Sequence, residues 1–208
     1  MTERPVNRSY QVRSAAEART AYDDWADQYE PDLCAAGYRI PAMIAAVFTR
    51  FVPANTAPVL DAGCGGGIQA EPLAELGYGP IVGIDLSDGM LAVAAKKGIY
   101  SELKQQVMGE RLDFPDDHFG AVICSGVITP GHAPPHSFDE LVRVACPGAR
   151  IIFSLRSDDK QMPAYPQAVE RLTSAGAWQH VFSTKPFHSM PYGEPDVLHQ
   201  IHAYDAAG

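Results

Sequence analysis

From Pro58 onward the chain alternates short apolar runs with helix-patterned stretches, and this alternation restricts the possible folds more than any other feature. PVLDAG, PIVGIDLS, the weaker LKQQVM, FGAVICSGV and ARIIFSLR read as strands. Helical stretches begin between them near Gln69, near Ser87 and near Ser137, where Glu140 completes a capping box. Strand, helix, strand, helix in succession implies a parallel sheet covered on both faces. Right-handed crossovers make it a doubly wound α/β domain. The tail departs from this pattern. After a helix around Gln167 to Ala175 and a breaking Gly176, WQHVFSTKPF and VLHQIHAYD form consecutive strand candidates around a Pro/Gly turn, which predicts a closing antiparallel hairpin.

Two helices precede the sheet. Ser14 with Glu17 makes a capping box for a helix carrying Tyr22, Trp25 and Tyr29 on one face, with Pro31 at its expected end. A second helix starts about Pro41, carries Ile40, Met43, Ile44, Val47, Phe48 and Phe51 at the helical period, and closes near Pro53. No repeat, low-complexity tract or linker composition divides the chain. A single domain over 1–208 is expected, with helices in 1–55 and the sheet in 56–208.

Charge and cysteine usage narrow the partners. A formal charge of −9 without a basic cluster argues against nucleic acid, whose phosphates are bound through Lys and Arg. No run approaches the roughly 20 apolar residues a membrane span needs. The start MTERPVNRSYQVRS lacks the apolar core of a secretory signal, so a cytoplasmic protein is expected. Cys34, Cys64, Cys124 and Cys146 include no CxxC pair, which indicates neither zinc nor a disulfide framework. A small molecule or a protein is the expected partner.

The first strand runs into VLDAGCGGGIQAEP, Val59 to Pro72. In open α/β sheets ligands lie beyond the carboxyl ends of the strands, so Gly63, Gly65, Gly66 and Gly67 offer bare backbone where a ligand approaches. Pro72 is tolerated only in a first helical turn, leaving the amides from Gly65 to about Ala70 as candidate donors. Asp85 ends the second strand, where an acid can accept both ribose hydroxyls; Ser87, not Asp85, stands in the better N-cap position. A dinucleotide turn needs GxGxxG, but counting from Gly63 the third glycine is replaced by Ile68. Asp61 before the turn would repel a pyrophosphate and favour a cation such as an amino-acid ammonium.

These residues resemble the class I S-adenosylmethionine-dependent methyltransferases. VLDAGCGGG is similar to the family's first motif and GIDLSDGML to its second. LDFPDDHFGAVICSGV resembles the approach to its fourth strand, and DELVRVACPGARIIFS the helix, turn and fifth strand that follow. YDDWADQYEPDL and SGVITPGHAPP most resemble the branch containing the methyltransferase-like protein of the Williams-Beuren region and its bacterial relatives. The resemblance implies a Rossmann-like, seven-stranded, mainly parallel sheet with an antiparallel C-terminal hairpin strand, the N-terminal helices forming a lid. It implies S-adenosylmethionine as cofactor, S-adenosylhomocysteine as product and methyl transfer to an unidentified, small-molecule acceptor.

Residue by residue, the resemblance assigns Asp61 to the methionine ammonium and the backbone of Gly63, Cys64 and Gly65 to the methionyl and ribose parts. Asp85 takes the ribose hydroxyls, Leu86 and Met90 pack on the adenine, and Met108, Gly109 and Glu110 border its edge. Ser125 and Gly126 floor the methionyl arm, and Tyr22 and Tyr29 reach the cofactor from the lid. Two departures stand out. Val107-Met108-Gly109 replaces the usual Gly-Asp-Ala, removing the carboxylate that meets the adenine amino group, and Gly120 replaces an Asp. No catalytic residue is fixed: His132 or His136 could deprotonate an acceptor and Tyr22 could orient one. The His132/His136 spacing lies in a proline-rich loop, so a metal pair is not expected. His199 and His202 face opposite ways on strand alternation and are ascribed to the edge hairpin. A non-catalytic cofactor-binding protein and a nicotinamide-dependent oxidoreductase remain the alternatives, the second disfavoured by Ile68 and Asp61.

Overall fold

The computed structural model describes residues 14–158 and 162–208. The first thirteen residues, which include most of the stretch read for a secretory signal and the beginning of the expected lid, lie outside the described residues.

Ser14 caps the first helix, α1 (Ala15–Ala35), by accepting from the Glu17 amide at 3.2 Å. The helix does not stop at Pro31. It runs one turn further, because the bond that Pro31 cannot make would go to the carbonyl of Asp27, a residue on the exposed face, where the lost bond costs least. The next helix, α2 (Ile40–Phe51), begins with proline in its first turn and buries Ile40, Ile44, Val47 and Phe48.

The sheet strands are β1 (Val59–Ala62), β2 (Ile81–Asp85), β3 (Glu102–Gln105), β4 (Phe119–Cys124), β5 (Ala145–Arg156), β6 (Trp178–Ser183), β7 (Phe187–Met190) and β8 (Glu194–Ala206). Between them run α3 (Glu71–Glu75), α4 (Asp88–Lys97), α5 (Ser137–Val144) and α6 (Ala164–Ser174). The strand order is β3-β2-β1-β4-β5-β8-β6, with β7 pairing β8 off this path. The links from β3 through β5 are parallel; β8 is antiparallel to β5, β6 and β7. The sheet therefore has eight strands rather than the seven expected. The additional one is β7, which the FHSM segment forms by turning back onto β8 at Phe187↔His199.

Strand alternation sorts the core into two layers. Leu60, Ala62, Val122, Ile151 and Phe153 face the layer holding Phe138 and Trp178. Val59, Ala121, Ile123 and Ile152 face the layer that α2 fills with Ile44 and Phe48. A smaller cluster joins Leu33, Ala36 and Met190, with Trp25, Tyr29 and Tyr38 packed against it, and ties α1 to β7. The capping box expected at Ser137 does not form. His136 holds the cap position, while Glu140 accepts from the Leu112 amide at 2.8 Å and from Arg143 at 2.6 Å. Arg143 also donates to the Leu112 and Phe114 carbonyls, both at 2.9 Å, a stronger claim on that carboxylate than a neutral cap amide.

Candidate functional site

The turn after β1 sits at the carboxyl ends of the parallel strands. Gly63 and Cys64 donate to the Ile84 carbonyl, both at 2.8 Å, which stitches the turn to β2. Gly63 has φ +75° and an added Cβ would meet Val127 Cγ2 at 2.2 Å, so this position admits only glycine. Gly65 differs: its φ is +53° and a Cβ there would meet nothing within 4 Å, because the residue faces open space. The expected row of donor amides is only partly available. The Gly65 amide bonds Asp85 Oδ2 at 2.9 Å, and those of Gly67, Ala70 and Glu71 bond carbonyls within the turn.

Asp85 lines the space in front of Gly65. Its Oδ2 accepts from Gly65 and its Oδ1 from the Ser87 amide at 2.9 Å, leaving lone pairs on both oxygens for further donors. Desolvation raises its pKa, and the amides of Ser87 and Gly65 oppose that rise. Ser87 is the N-cap of α4, accepting from Met90 at 3.0 Å, as the sequence indicated.

The space forms a cavity open to solvent, with about 610 Å³ between its walls when the open mouth is counted. Gly63, Cys64 and Gly65 make one wall, and Asp85, Leu86, Met90 and Met108 another. Ser125 and Gly126 supply the floor at the end of β4, and Tyr22 and Tyr29 close it from α1. Three of the residues assigned from sequence do not line it. Asp61 is buried at 1% exposure with its Oδ2 accepting from the Tyr100 hydroxyl at 2.7 Å. Burial pushes its pKa up to about 7, with the Asp85 charge adding to the rise and the Tyr100 bond opposing it. The Gly109 carbonyl is engaged by His136 Nε2 at 3.0 Å, and Glu110 is exposed. The resemblance pointed to Asp61, Gly109 and Glu110 by chain position, but the short β3 and the proline-rich loop turn the last two away.

Four lining residues were not foreseen: Ile68, Gln69, Gln106 and Val127. Gln106 follows β3 directly. Its Oε1 accepts from the Asp113 amide at 2.8 Å, which fixes the amide's orientation and leaves Nε2 buried without a partner. A buried unpaired donor costs about 1–3 kcal/mol, so a ligand acceptor at that atom recovers real free energy. The strand-end position was a readable signal, because ligands gather at strand ends in such sheets.

α1 is bound down over this cavity by polar contacts to its rim. Arg19 Nε donates to the Leu86 carbonyl at 3.0 Å, and Asp23 Oδ1 accepts from Ser87 Oγ at 2.6 Å and from the Gly89 amide at 2.9 Å. Those donors, led by Ser87, lower the Asp23 pKa. Further along, Lys97 bridges Glu30 at 3.0 Å and Glu71 at 2.6 Å, and the second oxygen of Glu30 lies against the backbone of Gly66.

A second cavity of about 570 Å³ adjoins the first, and Tyr22, Tyr29, Gly126 and His132 line both. Its remaining walls are Trp25, Leu33, Tyr38, Ile40, Thr129, Met190 and His199. Tyr22, Trp25 and Tyr29 form a ring cluster with centroids 4.9–6.3 Å apart, so the stripe is packing and cavity wall at once. In the shared wall Tyr22 Oη lies 2.9 Å from His132 Nε2. His132 Nδ1 faces the Pro130 carbonyl at 3.2 Å and Thr129 Oγ1 at 3.1 Å. The carbonyl can only accept, so Nδ1 carries the hydrogen and Nε2 the lone pair. Burial lowers the His132 pKa, keeping the ring neutral; the Pro130 bond opposes this more weakly. His136, the other candidate base, is exposed and lines neither cavity. His199 and His202 do form no common site, since Ser189 holds one and Ser183 the other, but His199 belongs to the second cavity and not merely to the edge hairpin.

Known proteins resemble this chain in sequence and in fold. Residues 60–153 match the family model described as a methyltransferase domain. The chain is 31% identical over 181 residues to human methyltransferase-like protein 27, covering 84% of this chain and 73% of that protein. It is 34% identical over 100 residues to the ubiquinone biosynthesis O-methyltransferase of Hahella chejuensis, covering 46% of this chain and 42% of that protein. Among solved structures, the [4+2]-cyclase SpnF superposes with a TM-score of 0.74 at 17% identity, covering 94% of this chain and 97% of that one. Other structural neighbours are S-adenosylmethionine-dependent methyltransferases.

Proposed function

The chain belongs to the S-adenosylmethionine-dependent methyltransferase family, and from that premise we propose that it methylates a small molecule held in the second cavity. One observation carries the reading: the two cavities meet at a common wall, so a molecule in the second faces whatever the first holds. The relative from Hahella chejuensis, an O-methyltransferase of ubiquinone biosynthesis by name, supports a small-molecule acceptor. A formal charge of −9 disfavours a nucleic-acid acceptor.

The first cavity fits the cofactor. When bound, S-adenosylmethionine supplies a methyl group activated on a sulfonium. Asp85 offers its remaining lone pairs to the ribose hydroxyls, and the open face of Gly65 lets the chain lie against the backbone. Leu86, Met90 and Met108 would flank the adenine, and Gln106 Nε2, a donor, would offer its hydrogen to a ring nitrogen, a different contact from the one a carboxylate makes with the amino group. Ser125 and Gly126 support the methionyl arm, and Tyr22 and Tyr29 exclude water above it. Asp61 stands behind the turn, bonded to Tyr100, where an ammonium in the first cavity would favour its ionised form. Methyl transfer is an in-line displacement for which positioning counts most. Where the acceptor must lose a proton, His132 Nε2 is placed to take it, and the Tyr22 hydroxyl marks where a donor to that atom sits.

Calorimetric titration with S-adenosylmethionine, S-adenosylhomocysteine and NADH tests the reading. Both sulfur compounds are expected to bind and NADH to give no heat. Asp85→Ala should weaken binding about 10- to 100-fold, the effect of losing one or two hydrogen bonds to a charged group. Binding of NADH alone would overturn it in favour of the oxidoreductase.

A further inference from the structure

The second cavity has no Lys, Arg, Asp or Glu among its lining residues. Trp25, Leu33, Ile40 and Met190 give it apolar walls, and its polar atoms are hydroxyls and imidazoles. An ionised ligand would enter without a counter-charge, at a cost of several kcal/mol. The polar groups are not scattered. His132 stands in the wall shared with the cofactor cavity, whereas His199, on β8, lines the second cavity only. The two imidazoles therefore mark a near end and a far end.

His199 is held in place for such a task. It is buried at 8% exposure, and its Nδ1 lies 2.9 Å from Oγ of the fully buried Ser189. That contact fixes the ring and leaves Nε2 as the nitrogen that can meet a ligand. Burial pushes its pKa down to about 4; Arg156 acts in the same direction and Asp158, paired with Arg156 at 2.8 Å, acts against it. The ring is neutral at neutral pH and suits an uncharged hydroxyl or carbonyl, not an anion.

We propose that the second cavity selects an uncharged, predominantly aromatic acceptor with two polar ends, the far one hydrogen-bonded by His199 and the near one presented to Tyr22 and His132. This rests on the methyl-transfer reading above and names the acceptor class that the reading leaves open. The near end carries the atom to be methylated, and the Trp25 and Tyr29 rings, at 85° to one another, offer a flat acceptor one face to stack on and one edge to abut.

Three naphthalenes of one shape test it: 2,6-dihydroxynaphthalene, 2-naphthol and 6-hydroxy-2-naphthoate. Each is titrated calorimetrically into protein saturated with S-adenosylhomocysteine, for the wild type, His199→Phe and His199→Gln. The diol is expected to bind about tenfold more tightly than the mono-ol, the effect of one added hydrogen bond. The naphthoate is expected to bind most weakly. His199→Phe should bring the diol and mono-ol together, and His199→Gln should restore part of the difference. A naphthoate that binds as tightly as the diol would overturn the proposal, as would an undiminished diol preference in His199→Phe. S-adenosylhomocysteine titrations of each variant report on folding and on the first cavity. If a variant fails there, the comparison of neutral and anionic probes on the wild type decides alone. Binding of S-adenosylhomocysteine without any naphthol overturns the acceptor class and leaves the cofactor reading standing; no binding of S-adenosylhomocysteine to the wild type overturns the cofactor reading itself.

Discussion

At the scale of single residues, Asp61 shows how a binding turn can be maintained against stability. Its folded pKa, about 7, lies above the ordinary value of 3.8, so between those pH values the native state holds a proton that the unfolded chain has released. Native stability from this group is therefore present at low pH and declines as pH rises from about 4 to about 7, opposite to the usual effect of a paired carboxylate. Asp61→Asn keeps an oxygen acceptor for Tyr100 and removes the titration. Urea unfolding of the two proteins should show the variant gaining on the wild type from pH 5 to pH 8, and a parallel pair of curves would contradict this assignment of charge. The acid itself was legible in sequence from its place before the glycines. Its bond to Tyr100 was not, because a contact between residues 39 positions apart leaves no local pattern.

At the scale of elements, α1 is tied to the rim of the cofactor cavity mainly by polar contacts. Lys97 is one of them, with its side chain 15% exposed and two carboxylates against it. Burial works against its charge, but the bonds to Glu71 and Glu30 outweigh this and its pKa is raised. Lys97→Met leaves Glu30 half-buried with no cation, which should cost about 1–3 kcal/mol, between a surface and a buried pair. Chemical denaturation measures the loss, and weaker binding of S-adenosylmethionine should accompany it because Glu30 presses on Gly66. The elements themselves could be read from the chain where periodicity or a cap was strong: α2, α4 and the apolar strands emerge close to their expected limits. Readings failed where a tertiary partner prevailed. Glu140 prefers Arg143 to a cap, α1 passes through Pro31 on its wet side, and β7 exists only because β8 lies beside it.

At the scale of the whole molecule, the two cavities differ in how far sequence revealed them. The first is built mostly from consecutive motif residues, so spacing alone pointed to Gly63, Gly65 and Asp85. The second draws on α1, α2, the loop after β4, β7 and β8, segments joined only by the fold, and no motif marks Tyr38, Met190 or His199. α1 roofs both, held by polar tethers to Leu86, Ser87 and Gly89 and, at its C-terminal end, by the Leu33, Ala36 and Met190 cluster. S-adenosylhomocysteine should slow amide hydrogen exchange throughout α1 while leaving β1, β4 and β5 unchanged; equal protection across the molecule would mean that the helix does not open separately.

The polar tethers of α1 end on Leu86, Ser87, Gly89 and Lys97, all in the nucleotide-binding half of the molecule, while its aromatic face looks into the other half. Grafting the front helices of a relative onto this core, to import that relative's substrate preference, would succeed only if counterparts of Arg19, Asp23 and Glu30 travelled with them. On the proposed reading, the segment that faces the acceptor is coupled to the segment that faces the donor, so the two would have to be exchanged as one cassette.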